Sequence, residues 1–300
     1  MNTGAATVSP ALRALLHGVV DYAGLFPPAG LSMRNAVAEY ASQRSSPEAW
    51  MLGRFVVPVG RLDELASEAA SDVRAGQGAW PLSALVSADP AADAEVIHRF
   101  NATHQERLVV ESVELRAPTV DAIDWALPTL DRTLDRYVEI PLGDSRALLQ
   151  AIRQHGARAK ARTGGITPDA FPTAIDLAHF IASCVQLEVP FKATAGLHHP
   201  LRGEQRLTYD NEAPTATMFG FLDVFVAAAF ARSGAGEDML VRLLEERDAA
   251  AFTFDGDVLR WRDRELSVTQ VKAARRDVAL SFGSCSFSEP VDDLHRLGVL

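Results

Sequence analysis

Two lysines about thirty residues apart carry most of the chemistry legible in this chain. Each sits on a short extended run that closes on glycine: Ala159-Lys160-Ala161-Arg162-Thr163-Gly164-Gly165, and Phe191-Lys192-Ala193-Thr194-Ala195-Gly196-Leu197-His198-His199. A lysine amine attacks a carbonyl only when it is neutral, and burial beside a second cation drives it toward that state. Lys160 and Lys192, with Arg162 close by, supply such a setting. The product of attack is an iminium, or Schiff base, which withdraws electrons from a neighbouring carbon–carbon bond so that the bond can break or form. A second reading stands beside this one, in which both lysines are held in salt bridges to Glu139 and Glu114 that tie one end of the fold together.

Other polar residues gather around the same two segments. His198 and His199 are adjacent, so in an extended chain they point to opposite sides. One of them, with Glu139 or Glu114, would complete a His/carboxylate site for a divalent ion acting as a Lewis acid. The chain has no His-x-His or His-Glu-x-x-His spacing that would specify such a site. The simpler role for His198 is general acid or base, with His199 hydrogen-bonding the substrate and Arg202 holding a carboxylate or phosphate. Glu114 and Arg116 lie two apart in Val113-Glu114-Leu115-Arg116 and so share one face of a strand. Either they pair with each other, or Arg116 grips an anionic substrate while Glu114 orients Lys192 or an imidazole. Arg54, a charge inside an apolar run, carries the same two readings.

Those residues need a scaffold, and the periodicity supplies one. Extended runs are predicted at Met51–Val59, Leu82–Ser87, Leu108–Leu115, Tyr137–Pro141, Ala157–Arg162 and Pro190–Ala195. Between them, residues Arg61–Arg74, Ala91–His104, Val120–Leu130, Ser145–His155 and Thr173–Leu187 have apolar positions at helical spacing, several opened by Asp, Ser or Pro. Strand and helix alternate with short connections, which implies a parallel sheet with right-handed crossovers. Charges on successive late strands (Glu111, Glu114, Arg116, Glu139, Lys160, Arg162, Lys192) suit the mouth of a barrel better than the single crevice of an open sheet. No Gly-x-Gly-x-x-Gly or P-loop follows an early strand. The expected fold is therefore α/β, a (β/α)8 TIM-barrel-like domain over residues 1–300, decorated at both ends.

The decorations are a helical segment over 1–48 and a hairpin-and-helix addition over 250–300. In the first, the loop Asp21–Gly30 contains Phe26-Pro27-Pro28 and either caps the bottom of the barrel or folds over its top, where Tyr22 would reach a substrate. In the second, a helix at Glu237–Arg247 leads to a β-like pair at Phe252–Trp261 around Asp255-Gly256, then a helix at Val268–Ala279. With a seventh strand allowed for, the eighth is missing, irregular or supplied by this hairpin. Gly283-Ser284-Cys285-Ser286 lacks the hydrolase elbow pattern and is read as a turn. Phe219, Phe221, Phe225 and Phe230 are read as core or as a subunit contact, which leaves a homo-oligomer open.

The composition narrows the function class. A net charge of −10 argues against a nucleic-acid partner. The longest apolar stretch, from Met218 to Ala231, is broken by Asp223 and too short for a bilayer, so no membrane partner is expected. The Met1-Asn2-Thr3-Gly4 start carries no secretory pattern, and Cys184 and Cys285 suit a reducing compartment, which together point to the cytoplasm.

Lys160-x-x-Thr163-Gly164-Gly165, followed about thirty residues later by Lys192-Ala193-Thr194-Ala195-Gly196, resembles the paired lysine segments of the deoxyribose-phosphate aldolase family of class I aldolases. The likeness spans about fifty residues. It implies Lys160 as the Schiff-base lysine, Lys192 as the group that tunes it, and Gly164, Gly165 and Gly196 as backbone donors to a phosphate. The family uses an aspartate from an earlier strand for proton transfer, whereas here Glu139, on the strand just before Lys160, is the candidate. His198-His199-Pro200 has no counterpart in the pattern.

Together these residues predict a lyase or aldolase acting on a small anionic oxo compound through a lysine Schiff base, with no cofactor. Lys160, Lys192, Glu139 and His198 would be catalytic. Arg162, Gly164, Gly165, Thr194, Gly196, His199, Arg202, Glu114 and Arg116 would bind the substrate. A metal-dependent barrel lyase or isomerase using Glu and His ligands, and a barrel that binds a ligand without catalysis, remain the alternatives.

Overall fold

The computed structural model describes residues 8–73 and 78–300. Met1–Gly4, read above for a signal, and Arg74, the expected end of the first crossover helix, lie outside them. Side chains set where many of the helices begin: Ser9 caps α1 (Pro10–Leu16), Asp89 caps α4 (Pro90–His104), Thr119 caps α5 (Val120–Ala126), and Thr173 with Asp176 forms a capping box on α7 (Ala174–Gln186). Each cap satisfies a backbone N–H that the first turn leaves without a partner.

The strands follow the alternation closely. In chain order they are β1 (Val20–Tyr22), β2 (Leu52–Pro58), β3 (Trp80–Leu85), β4 (Leu108–Arg116), β5 (Asp135–Ile140), β6 (Arg158–Arg162) and β7 (Phe191–Thr194). A ribbon, β8 (Gly203–Arg206) and β9 (Thr215–Met218), and a three-stranded sheet, β10 (Phe252–Asp255), β11 (Val258–Trp261) and β12 (Arg264–Ser267), precede the last strand, β13 (Ala279–Ser284). The remaining helices are α2 (Met33–Gln43), α3 (Leu62–Glu68), α6 (Arg146–Gln154), α8 (Phe221–Arg232), α9 (Glu237–Leu244), α10 (Val268–Asp277) and α11 (Ser288–Arg296).

Eight strands close into a parallel barrel in the order β1-β13-β7-β6-β5-β4-β3-β2, so the fold is a (β/α)8 barrel. The two strands that the periodicity did not resolve, β1 and β13, pair with each other and close it. This corrects the placement of the eighth strand. The hairpin over 252–261 is part of β10–β12, a separate sheet outside the barrel that meets α1 through Ala11 N donating to Gly256 O at 3.0 Å. Segments 1–48 and 250–300, expected as additions, each contribute a barrel strand as well. The helix expected over Val268–Ala279 ends at Asp277, and Gly283-Ser284, expected in a turn, ends β13.

Outward-facing strand residues form the apolar layer beneath the helices. Tyr22, Phe55 and Trp80 from β1, β2 and β3 surround the ring of Tyr40 on α2. Helix α8 is buried on nearly every side because α7, α9 and α10 enclose it, and Phe221 stacks on Phe282 of β13. Phe219, Phe221, Phe225 and Phe230 are all buried and belong to the core. Among the described residues no helix is long and apolar enough to cross a membrane.

Candidate active site

The register brings the chemistry together. Glu139 on β5 stands beside Lys160 on β6, and Lys160 beside Lys192 on β7. These side chains point into the barrel, where the Lys160 Nζ lies 2.8 Å from Glu114 Oε2 and 3.0 Å from Glu139 Oε2. The Lys192 Nζ donates to Glu114 Oε1 at 2.6 Å and to Asp21 Oδ2 at 2.5 Å. Glu114 therefore bridges the two lysines, one carboxylate oxygen to each. It also accepts from Ser83 Oγ at 2.7 Å. Glu139 has a second cation, the Arg162 Nε at 2.9 Å.

Asp21 is fixed just as closely. Its carboxylate accepts from Ser281 Oγ at 2.7 Å and from the Arg54 backbone N–H at 2.9 Å. A Cβ at position 53 would meet its Oδ1 at 2.5 Å, so Gly53 is what lets this carboxylate lie against β2. The Arg54 side chain pairs at the lower end of the barrel with Asp135 and Glu111, away from the lysines.

Electrostatics distinguish the two lysines. Burial alone would lower the Lys192 ammonium, but Asp21 and Glu114 outweigh it, so its pKa is held above the ordinary lysine value. Burial would raise Glu114, and the pull of Lys160 and Lys192 instead holds it well below the usual carboxylate range. Glu139 is likewise lowered: burial opposes the shift, and Lys160 and Arg162 prevail. Lys192 is therefore a fixed cation at neutral pH. Lys160 differs in that both carboxylates beside it already have another positive partner. Neutralising its amine would leave neither one buried without a counter-charge, the situation that makes breaking a buried ion pair expensive.

Above this cluster opens a cavity of about 910 Å3, into which Lys160, Lys192, Glu114, Arg162, Thr194, Gly165, Gly196, His198 and His199 all reach. Three segments rim it: the loop after β1 with Phe26, Pro27 and Pro28, the turn after β6 with Ile166, and the β8–β9 ribbon with Arg206, Leu207 and Tyr209. The Asp21–Gly30 segment thus lies at the top of the barrel. Tyr22 does not reach the cavity, because its hydroxyl donates to Glu39 on α2 at 2.6 Å. His198 Nδ1 is 2.9 Å from Glu289 Oε2 and His199 Nδ1 is 2.5 Å from Asp293 Oδ2, both on α11.

Three expected binding residues lie elsewhere. Arg116 is the exposed last residue of β4 and makes no ion pair among the described residues, so the expected Glu114–Arg116 pair does not form; Glu114 is held by the lysines instead. Arg202 lines a separate cleft of about 270 Å3 with Asp293 and Arg296, its guanidinium lying 4.7 Å from the Phe219 ring. Gly164 lies behind the cavity wall, where a Cβ would meet the Phe171 ring at 2.5 Å and Gly196 Cα at 2.9 Å. Its lack of a side chain serves the close approach of the turns that follow β6 and β7.

No three His, Cys, Asp or Glu side chains converge as a metal ligand set among the described residues. Glu114 and Glu139 direct their oxygens at lysine and arginine, and both histidines direct Nδ1 at α11. The sequence reading missed Asp21, Ser83, Ser281, Arg206 and Glu289 as neighbours of the site. For Asp21 the available signal was an acid closing the β-branched pair Val19-Val20, and for Ser281 the alternation Leu280-Ser281-Phe282.

No protein-family model matches the chain, and no curated protein does so. Among solved structures it is similar to a deoxyribose phosphate aldolase from Aeropyrum pernix, at 14% identity and a TM-score of 0.42, over 64% of this chain and 81% of that one.

Proposed function

We propose that this chain is a carbon–carbon lyase of aldolase type, acting on a small anionic oxo compound through an iminium on Lys160. The observation that carries the reading is the Lys160 amine at the floor of the cavity, between two carboxylates that each hold a second cation. Composition supports it. The chain has 29 Lys and Arg residues, and only Lys160, Lys192 and Lys272 are lysines. Arginine is the better residue for a buried ion pair that serves structure alone. In a chain this poor in lysine, two of the three inside the barrel favour a role for the amine.

In this reading Glu139 takes a proton from Lys160, and the amine adds to the substrate carbonyl carbon. Glu139 returns the proton to the carbinolamine oxygen, water departs, and the iminium remains. A base then removes the proton of the hydroxyl on the carbon at the far end of the bond to be cut, the carbon that becomes the new carbonyl. The new carbonyl compound leaves, and the bonding pair flows into the iminium to give an enamine. Protonation of the enamine carbon and hydrolysis of the regenerated iminium release the second product and restore Lys160. Lys192 remains charged throughout and, through Glu114, holds the electrostatics of the floor constant. His198, with Nδ1 on Glu289, offers Nε2 to the cavity as the acid or base for the departing fragment. Arg162 and Arg206 hold the anionic end, with the backbone N–H groups of Gly165 and Gly196 beside them.

Incubation of the full chain with a panel of oxo acids, aldehydes and sugar phosphates in the presence of borohydride tests this. Hydride converts an iminium to a stable secondary amine, so the expected result is a mass gain mapped to Lys160 and lost in Lys160→Met. A compound that is turned over while leaving Lys160 unlabelled would overturn the assignment.

A further inference from the structure

The barrel mouth is divided into two unlike halves. On the side of β5, β6 and β7 the inward residues near the strand ends are Glu139, Lys160, Arg162, Lys192 and Thr194. On the side of β1, β2 and β3 the cavity wall is Ala23, Phe26, Pro27, Pro28, Val56 and Leu85, with no polar side chain among them. The ribbon adds both kinds of lining, Leu207 and Met218 as apolar and Glu204, Gln205, Arg206, Thr208 and Thr215 as polar side chains, so the wholly apolar wall is the one on β1, β2 and β3. Barrel order makes the division functional. In the closed ring β2 lies four strands from β6 in either direction, and β3 lies four from β7. Val56 therefore faces the strand of Lys160 across the barrel, and Leu85 faces the strand of Lys192. A substituent that extends across the mouth from a carbonyl carbon joined to the Lys160 amine meets Val56 and Leu85.

Resting on the lysine reading above, we infer that the substrate is an oxo compound with an apolar arm, aryl or extended alkyl, on the far side of its reacting carbonyl. Two physical arguments favour this over a polyol chain. The apolar wall offers no hydrogen-bond partner, and hydroxyls placed against it would lose their water without compensation. The cavity of about 910 Å3 also lies near the top of the range of roughly 300–1,000 Å3 that holds drug-sized ligands, far more than a three-carbon fragment fills. The anionic group then belongs at the other end of the molecule, toward Arg162 and Arg206.

Borohydride trapping of the full chain by three aldehydes tests this: 3-phenylpropanal, propanal and glyceraldehyde 3-phosphate. In each case the Lys160 amine and the aldehyde lose water to form the iminium, and borohydride supplies the hydride that fixes it. The expected result is half-maximal labelling of Lys160 by 3-phenylpropanal at a concentration about tenfold or more below that for the other two, a modest return for removing a phenyl ring from water. Its advantage over propanal shrinks in Phe26→Ala, a change on the rim loop, and in Val56→Thr, which keeps the side-chain shape while adding a hydroxyl. Labelling of Lys160 by glyceraldehyde 3-phosphate at an equal or lower concentration would overturn the apolar arm and leave the lysine mechanism standing. An advantage unchanged in both variants would also overturn it. Absence of labelling at Lys160 by every aldehyde would overturn the lysine mechanism itself, and this inference with it.

Discussion

Removing Lys192 should destabilise the protein far more than removing Lys160, although the two lysines stand side by side on neighbouring strands. Lys192→Met keeps most of the aliphatic stem, so little packing is lost and the electrostatic consequence dominates. Asp21, at 1% exposure, would retain only Ser281 Oγ and the Arg54 N–H as hydrogen-bond donors and would lose its one direct ion pair, leaving only the longer-range pull of the Arg54 and Arg275 guanidiniums on its charge. Breaking a buried ion pair from one side costs about 3–5 kcal/mol. For a chain of this length that corresponds to a fall in Tm of roughly 6–10 °C, at about 2 °C per kcal/mol. In Lys160→Met, by contrast, Glu114 keeps Lys192 and Glu139 keeps Arg162, so the loss is that of the hydrogen bonds, about 1–2 kcal/mol. Urea titration followed by tryptophan fluorescence measures both. Adding Asp21→Asn to Lys192→Met removes the stranded charge and should recover part of the loss, a coupling visible in the double-mutant cycle. A Lys160→Met variant as unstable as Lys192→Met, or no recovery on adding Asp21→Asn, would refute the counter-charge argument.

Three further outcomes follow from the same geometry. Because Glu114 is lowered in the folded state, its contribution to stability is fully present above the unfolded carboxylate value of about 4.3 and is lost as pH falls below it. Lys192 is raised, so its contribution is complete below the unfolded value of about 10.4 and fades only as pH rises through its higher folded value. The urea midpoint should therefore decline on the acid side of about pH 4, with a shallower decline in Glu114→Gln; equal slopes would count against the bridge. Gly196 has φ +73°, and a Cβ there would meet Gly164 Cα at 2.9 Å and Thr163 O at 3.1 Å. Gly196→Ala should cost at least the roughly 1–2 kcal/mol of the left-handed conformation, and a neutral urea midpoint would contradict the packing described. Tyr209 covers the buried Cys285 thiol, its hydroxyl 3.6 Å from the sulfur, and burial also raises that thiol's pKa. Tyr209→Ala should speed the reaction of Cys285 with a thiol-disulfide reagent while Cys184, on the buried face of α7, stays unreactive; an unchanged rate at Cys285 would mean that the ribbon does not cover it.

The parts of the fold legible in the sequence were those whose pattern repeats. Six strand runs with amphipathic stretches between them identify a parallel α/β barrel, and lysines on strands that close on glycines mark the end at which its cavity opens. The closing strands were not legible for specific reasons. β1 is three residues long, set between the end of α1 and a Pro-Pro loop, so it presents no alternation to count. β13 follows α10 with one residue between, and the helical period runs into it. Asp21 and Ser281 lie on these two strands, which is why half of the Lys192 environment was invisible. Glu114 was legible as a charge on a strand but was paired with Arg116, two positions along, because nothing in a single strand shows which residues the barrel brings across to it. Arg202 was placed by its nearness in sequence to His199, but the chain turns away there to enter the ribbon, and it is Arg206 that returns to the cavity.

The scarcity of lysine allows the central claim to be tested without knowing the substrate. Reductive methylation of the native chain with 13C-formaldehyde and cyanoborohydride at neutral pH, followed by peptide mapping, reports on Lys160, Lys192 and Lys272 at once, and the exposed Lys272 on α10 serves as the internal standard. If Lys160 is the reactive amine of a carbonyl-binding site, it methylates faster than Lys272 despite being only 5% exposed, while Lys192 stays unmodified between Asp21 and Glu114. If Lys272 reacts first and Lys160 is as inert as Lys192, both buried lysines are structural cations and the proposed lyase mechanism is wrong.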